Sequence, residues 1–171
     1  DDGTDLRYHD VRKFGKMILV DTEDIYMQPE IAKLGIEPDN KSLTKEYIYH
    51  LINNSKLPIK TLLLDQTIIN GLGNIYADEV LFASKINPLR IGASITLDEC
   101  EKIKNSAKEI ITKATEMGGS TIRSYTSSLG VIGRYQDELK VHTKVGEKCL
   151  SCGSIIEKTR VGGRGTYFCP K

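Results

Sequence analysis

The stretch from Leu63 to Glu79 restricts the fold more than any other part of the chain. An apolar run ends at Ile69, Gly71 and Gly73 enclose a single leucine, and a helical pattern starts at Asn74. Glycine tolerates positive φ and lets a ligand come close to the backbone. A helix that starts directly after such a turn points unpaired N–H groups outward and carries partial positive charge there, which suits a phosphate. The spacing alone also fits an ordinary tight turn between two helices.

Composition limits the class of protein. The chain has 171 residues, 39% of them hydrophobic, which is enough for one domain or two small ones. It contains no signal-peptide pattern and no apolar run long enough to span a bilayer, so we expect no membrane contact. The net charge of +1 excludes a polycation, but residues 142–171 hold six basic residues and two acidic ones. A local basic face is typical of nucleic-acid binding, and it also fits an ordinary surface.

Hydrophobic periodicity predicts a helical middle of the chain. Apolar residues recur at helical spacing over 44–54, a second helix opens at Pro58, and a third runs from Asn74 to Lys85. Thr96-Leu97-Asp98-Glu99 is a capping box that predicts a long helix, ended by Gly118-Gly119.

Outside this middle, two further segments precede the helices. Residues 5–20 are rich in strand formers and predict a strand. Residues 21–43 predict a connection with a short helix from Pro29 to Leu34, because proline suits a first helical position.

Three of the four cysteines predict a metal site near the C-terminus. Cys149 and Cys152 are followed after sixteen residues by Cys169, which is a zinc-ribbon spacing one residue short of a fourth cysteine. Three thiolates with one open position would also fit a catalytic zinc, and His142 is a possible but unsupported substitute ligand. The distant Cys100 reads as a small buried residue. Free thiols at metal spacing favour a reducing cytosol over a disulfide framework.

The run from Asp65 to Glu79 resembles the helix–two-turn–helix of the formamidopyrimidine-DNA glycosylase and endonuclease VIII family of bacterial base-excision repair enzymes. The resemblance extends from Arg12 to Pro170. It implies an α+β chain in which a mostly helical DNA-binding domain (44–140) follows the end of an N-terminal β domain (1–20) and a linker (21–43). A zinc-ribbon β-hairpin (141–171) closes the chain, with strands from Ile155 to Arg160 and from Thr166 to Cys169.

The resemblance also implies which residues meet DNA. His9 to Gly15 resembles a loop whose arginine and phenylalanine enter the duplex and fill the gap left by an extruded base. Two lysines at the start of the second helix, Lys56 and Lys60, contact phosphates in the family, and so does the asparagine that opens the third, Asn74. An arginine on the glycine-rich hairpin tip, Arg164, binds the phosphates beside the lesion and assists the later elimination step. The implied DNA-binding residues are Arg12, Phe14, Lys56, Lys60, Gly73, Asn74 and Arg164.

The activity implied is that of a bifunctional DNA glycosylase and abasic-site lyase that removes 8-oxoguanine or formamidopyrimidine from damaged duplex DNA. The Ser-, Thr- and Gly-rich residues 119–140 resemble the loop that covers an extruded purine. In the family an N-terminal proline amine is the nucleophile. We expect the 171 residues to be the C-terminal part of such an enzyme, without that nucleophile. One zinc, held by Cys149, Cys152 and Cys169 with the fourth cysteine missing from the sequence, would hold the hairpin in shape.

Three alternatives remain open. The chain could belong to the pyrimidine-directed, endonuclease VIII-like branch, which lacks a long covering loop. It could be a non-catalytic DNA-binding zinc module, or an RNA-binding protein, since a similar helical turn occurs in a ribosomal protein. For the preferred reading we expect a cytoplasmic, nucleoid-associated bacterial protein that acts as a monomer on damaged double-stranded DNA.

Overall fold

The structure is a computed structural model that describes residues 2–5, 7–10, 13–120 and 133–171. It divides into two compact units, residues 1–33 and residues 34–171. None of the described helices is long and apolar enough to cross a membrane.

The N-terminal unit is extended at first and ends in helical turns. A 3-10 helix over Thr22–Met27 precedes α1 (Pro29–Ala32), which confirms the short helix predicted from Pro29. The strand predicted over residues 5–20 is wrong for the part that the structure describes. Residues 7–10 and 13–20 form no strand, and Leu19 is 100% exposed. A strand needs a neighbour to complete its hydrogen-bond ladder, and the described residues provide none here.

Four helices form the body of the larger unit, at the places that the periodicity predicts. They are α2 (Lys45–Ile52), α3 (Ile59–Leu63), α4 (Asn74–Ala83) and α5 (Leu97–Glu116). The capping box is confirmed, because Thr96 accepts a hydrogen bond from the backbone of Glu99 while the Glu99 carboxylate accepts one from the backbone of Thr96. The φ angles of Gly118 and Gly119, +74° and +83°, end α5 as expected.

The apolar faces of these helices share one core. α5 packs against both α2 and α4. Removing such side chains from water is the main favourable term in folding. Cys100 lies in this core, fully buried, as predicted from its isolation in the sequence. The largest fully buried apolar side chains of the core are Ile48, Ile52, Ile59, Leu63, Ile69, Leu72, Leu81, Ile95 and Ile103.

The turn between α3 and α4 is braced by one side chain. The Gln66 amide oxygen accepts a hydrogen bond from the backbone N–H of Gly71 at 2.9 Å, and its amide nitrogen donates to the carbonyl of Leu72 at 3.0 Å. Gly71 has φ +89°, which a side chain would disfavour. The two-turn geometry therefore depends on Gln66 as well as on the glycine.

A two-stranded antiparallel hairpin forms the C-terminal end, with β1 over Glu157–Val161 and β2 over Arg164–Phe168. Gly162 and Gly163 make the turn, with φ of +54° and +77°, as a two-residue hairpin loop requires. β2 packs against α4. The predicted hairpin is confirmed, with its first strand shifted by one to two residues toward the C-terminus and its second strand shifted by one to two residues toward the N-terminus.

Candidate nucleic-acid interface

The start of α4 is open. Gly73 is the N-cap residue and has no side chain with which to cap the helix. The first backbone hydrogen bond of the helix runs from Ala77 N–H to the Gly73 carbonyl at 2.9 Å, so the preceding N–H groups point beyond the helix end. Gly73 is exposed, and a Cβ added there would meet nothing within 4 Å. An anion can therefore approach this backbone closely, as the Gly-x-Gly spacing predicted.

The hairpin tip lies against this helix start. The Asn74 side-chain amide donates a hydrogen bond to the Gly165 carbonyl at 3.1 Å, across 91 residues of sequence. Gly165 follows the exposed Arg164 directly. The structure therefore brings together two predicted site residues, Asn74 and Arg164, on neighbouring elements.

The buried oxygen of the Asn74 side chain has no hydrogen-bond partner among the described residues. Buried polar atoms are normally paired with protein or with ordered water. As an acceptor, this oxygen needs a donor such as an ordered water, whereas the second N–H of the same amide is the group that can donate to a phosphate.

The structure places Lys60 inside the protein, not at the surface where the prediction expected it. Its side chain is fully buried, because it lies on the inward face of α3 beside Ile59 and Leu63. The ammonium forms a short ion pair with Asp78 and donates to the Gly165 carbonyl at 3.2 Å. Burial lowers the pKa of Lys60, although the hydrogen bond to Asp78 acts in the opposite direction. Held inside in this way, Lys60 does not offer its charge to a phosphate at the surface.

Lys56, by contrast, is exposed at the entry to α3, where a phosphate contact is sterically open. In the N-terminal unit, Phe14 is 80% exposed in a turn held by the Asp10 carboxylate, which accepts hydrogen bonds from the backbone of Phe14 and Gly15. Arg12 and most of the predicted covering loop, residues 121–132, lie outside the described residues.

Two acidic side chains of α4 join the helical body to the segment before the hairpin. The Glu79 carboxylate accepts hydrogen bonds from the backbone N–H groups of Lys140, Val141 and His142 at 2.9, 3.0 and 2.8 Å. Asp78, whose first carboxylate oxygen pairs with Lys60, contacts His142 Nδ1 through its second oxygen at 2.7 Å. The sequence reasoning missed both roles. One signal in the sequence could have indicated these roles: Asp78 and Glu79 lie in a helix between the apolar residues Ala77 and Val80, where buried acids need partners.

The three C-terminal cysteines form the predicted cluster. The Sγ atoms of Cys149, Cys152 and Cys169 all lie within 4.8 Å of one another, and Cys152 and Cys169 are 3.3 Å apart. A tetrahedral zinc with Zn–S distances of about 2.3 Å places its sulfur ligands roughly 3.8 Å apart. The donor set and its spacing therefore fit zinc, while His142 faces Asp78 and is not in the cluster.

Local backbone contacts aim these thiols at one another. The N–H of Cys149 donates to the Ser154 carbonyl at 2.7 Å, and the N–H of Gly153 donates to the Cys149 carbonyl at 2.8 Å. Hydrogen bonding with Ser154 lowers the pKa of the Cys152 thiol to about 7. Burial raises the pKa of Cys169 to about 11. Because the thiolate is the form that binds metal, Cys152 is better prepared for it than Cys169.

Comparisons with known proteins agree with this geometry. The family described as formamidopyrimidine-DNA glycosylase H2TH domain matches residues 34–126, and the zinc finger found in FPG and IleRS matches residues 146–171. The formamidopyrimidine-DNA glycosylases of Bacillus anthracis and Exiguobacterium sibiricum are each 48% identical to this chain. The alignments cover 99% of the chain and 61% of each relative, so the chain spans about three fifths of their length.

Solved structures show the same fold. The Lactococcus lactis FPG bound to DNA containing an abasic site superposes with a TM-score of 0.86 at 42% identity, over 94% of this chain and 59% of that one. MutM in complex with DNA containing carbocyclic 8-oxo-G gives 0.85 at 41% identity, over 94% of this chain and 58% of that one. With its helical core and its hairpin both matched, the chain belongs to the formamidopyrimidine-DNA glycosylase family.

Proposed function

We propose that this chain is the DNA-binding part of a bifunctional DNA glycosylase and abasic-site lyase that acts on oxidised purines in duplex DNA. One observation carries the proposal: the open start of α4 and the hairpin that bears Arg164 meet at the Gly165 carbonyl, where Asn74 donates at 3.1 Å. Two phosphate-binding features on one small area can grip one strand of a bent duplex.

The predicted DNA-binding residues other than Lys60 have distinct parts in this proposal. The backbone N–H groups after Gly73 and the Asn74 side chain bind one phosphate, with the helix dipole favouring the anion. The planar fork of Arg164 binds neighbouring phosphate oxygens in two places at once and stays charged at any working pH. Lys56 adds a point charge. Phe14, with Arg12, fills the space of the extruded base by stacking on its neighbour.

Zinc has a structural part here. Cys149, Cys152 and Cys169 would hold one ion per chain, with a fourth ligand from beyond these three. The metal fixes the base of the hairpin, so that Arg164 is presented in a fixed direction. It supplies no bond-making chemistry of its own in this proposal.

The substrate class rests on the relatives. They are formamidopyrimidine-DNA glycosylases, and the similar structures include complexes with DNA that contains Fapy-dG, carbocyclic 8-oxo-G or an abasic site. We therefore propose oxidised purines as the lesions of the whole protein, which acts as a monomer in the cytoplasm. If the whole protein excised oxidised pyrimidines in preference to 8-oxoguanine, the endonuclease VIII-like alternative would replace this proposal.

The test is DNA binding by the 171-residue chain in the presence of zinc. Fluorescence anisotropy compares a duplex carrying a tetrahydrofuran abasic analogue opposite cytosine with the same duplex undamaged, at several salt concentrations. We expect tighter binding to the damaged duplex and affinity that falls steeply with salt. Equal binding of damaged DNA, undamaged DNA and RNA would contradict the proposal.

A further inference from the structure

A cluster of ionisable side chains is buried where α3, α4 and β2 meet. The side chains of Lys60 and Asp78 are both fully buried, and one carboxylate oxygen of Asp78 pairs with the Lys60 ammonium. The other oxygen binds His142 Nδ1 at 2.7 Å. Burying charges is costly unless their geometry and hydrogen bonding are good. Each oxygen of Asp78 has such a partner, so the cluster is a defined arrangement centred on one carboxylate.

Both partners of Asp78, Lys60 and His142, contact β2, the strand that begins at Arg164. Lys60 donates to the Gly165 carbonyl at 3.2 Å. The His142 ring lies 4.7 Å from the ring of Tyr167, centroid to centroid. Gly165 and Tyr167 are the second and fourth residues of β2. Asp78 therefore reaches the strand at two points through two different side chains, although it does not touch the strand's exposed arginine.

We propose that Asp78 is a positioning residue for Arg164. Asp78 orients the Lys60 ammonium toward the Gly165 carbonyl and the His142 ring toward Tyr167, and these two contacts fix the backbone from which Arg164 projects. The inference rests on the proposed function, in which Arg164 binds a phosphate. Lys60 thus serves DNA binding from inside the protein, through the hairpin.

The surroundings of Arg164 explain why a remote residue would be needed. Its side chain is exposed, and no carboxylate of the described residues forms an ion pair with it. A long exposed side chain loses rotamer freedom when it binds a ligand. Lys60 and Asn74 both donate to the Gly165 carbonyl and so fix the adjacent backbone, which then loses no further freedom when the Arg164 side chain binds a ligand.

A double-mutant cycle between Asp78→Asn and Arg164→Ala tests this role. Affinity for the duplex with the abasic analogue is measured against salt concentration for the 171-residue chain and the three variants, all with zinc present. We expect Arg164→Ala to weaken binding about tenfold and to reduce the salt slope by about one phosphate. Asp78→Asn should weaken binding by a similar factor, and the double variant should also lose only about tenfold, whereas independent effects would give about a hundredfold loss. Such non-additivity marks two residues that act through one contact.

A merely structural role for Asp78 predicts a different result. Asp78→Asn would then weaken binding by the same factor whether or not Arg164 is present, and additive losses overturn the inference while the proposed function stands. If Arg164→Ala binds as tightly as the wild type, the proposed role of Arg164 and the inference both fail.

Asp78→Asn leaves the buried Lys60 ammonium without its partner carboxylate, and this unpaired charge could prevent the chain from folding. A second variant keeps the test decisive in that case. Lys60→Met combined with Asp78→Asn removes both charges, and such neutral replacements are often tolerated. Paired with Arg164→Ala in the same cycle, it should again give no added loss of affinity, and an added loss would overturn the inference. Circular dichroism and zinc content of each variant confirm that folded, metal-loaded chains are being compared.

Discussion

Replacing Gly162 by alanine tests the packing of the hairpin tip with a built-in control. A Cβ at residue 162 would lie 2.7 Å from the Thr61 hydroxyl oxygen, too close for an unstrained contact, while one at Gly163 would meet nothing within 4 Å. Both glycines have positive φ, +54° and +77°. The two substitutions therefore share the backbone strain and differ in the contact with Thr61.

The expected magnitudes follow from these distances. Alanine at positive φ costs roughly 1–2 kcal/mol, so Gly163→Ala should lower the free energy of unfolding by about that much. Gly162→Ala adds the overlap with Thr61, and overpacking typically costs a further ~1–3 kcal/mol. Urea denaturation followed by circular dichroism, with zinc in excess, measures both changes.

Shortening Thr61 to alanine should remove the difference in unfolding free energy between Gly162→Ala and Gly163→Ala. The Thr61 hydroxyl is buried and has no hydrogen-bond partner among the described residues, so Thr61→Ala alone should cost little. In the Thr61→Ala background, Gly162→Ala should be no worse than Gly163→Ala. If Gly162→Ala and Gly163→Ala destabilise the wild-type chain equally, the tip does not pack on α3 as described, and the argument that places Arg164 beside Asn74 loses its support.

Three further outcomes are expected. Asn74→Ala should weaken binding of damaged DNA about tenfold and lower the free energy of unfolding by about 1 kcal/mol through loss of the hydrogen bond to Gly165, measured by anisotropy and urea denaturation; unchanged affinity would contradict the role of Asn74. Removing zinc with a chelator should weaken DNA binding and be reversed by added zinc, whereas Cys152→Ser should show weaker binding that excess zinc does not restore. The hydrogen bond with Arg90 lowers the pKa of Glu99. Because the folded-state pKa of Glu99 is depressed, its carboxylate stabilises the fold at pH values above the unfolded-state pKa of roughly 4.3. Glu99→Gln should therefore cost ~0.5–1 kcal/mol of unfolding free energy at pH 7, and this cost should disappear once the pH falls below the folded-state pKa. A constant difference across this range would contradict the ion pair.

Local chemistry explains what the sequence could predict. The capping box at Thr96, the helix end at Gly118 and the proline start at Pro29 each depend on residues within a few positions of one another. The same holds for the thiols Cys149 and Cys152, whose spacing places them in one turn. Such features are written in short stretches of sequence, so the helices, the hairpin and the metal cluster are found where the pattern predicts them.

Long-range partners explain what the sequence could not predict. A lysine at a helix start resembles a surface residue until the fold shows that Asp78 and Gly165, 18 and 105 residues away, enclose Lys60. The strand expected near the N-terminus has the right residue types, but strand formation depends on a neighbouring strand that propensity does not supply. Glu79 is a similar case, because its three backbone partners lie more than 60 residues further along the chain.

The hairpin is therefore fixed at two ends by different kinds of contact. At its base, three thiols converge within 4.8 Å, and at its tip, Lys60 and Asn74 donate to one carbonyl. A metal cluster alone would leave the far end of a two-stranded ribbon free to bend, since isolated hairpins are marginally stable. The tip contacts alone would leave the base unsupported. Arg164 starts β2 beside the tip contacts, so its direction depends on the helical core as well as on the thiol cluster. This is why a buried lysine and a buried aspartate, neither of which reaches the surface, can matter for the surface that we propose binds DNA.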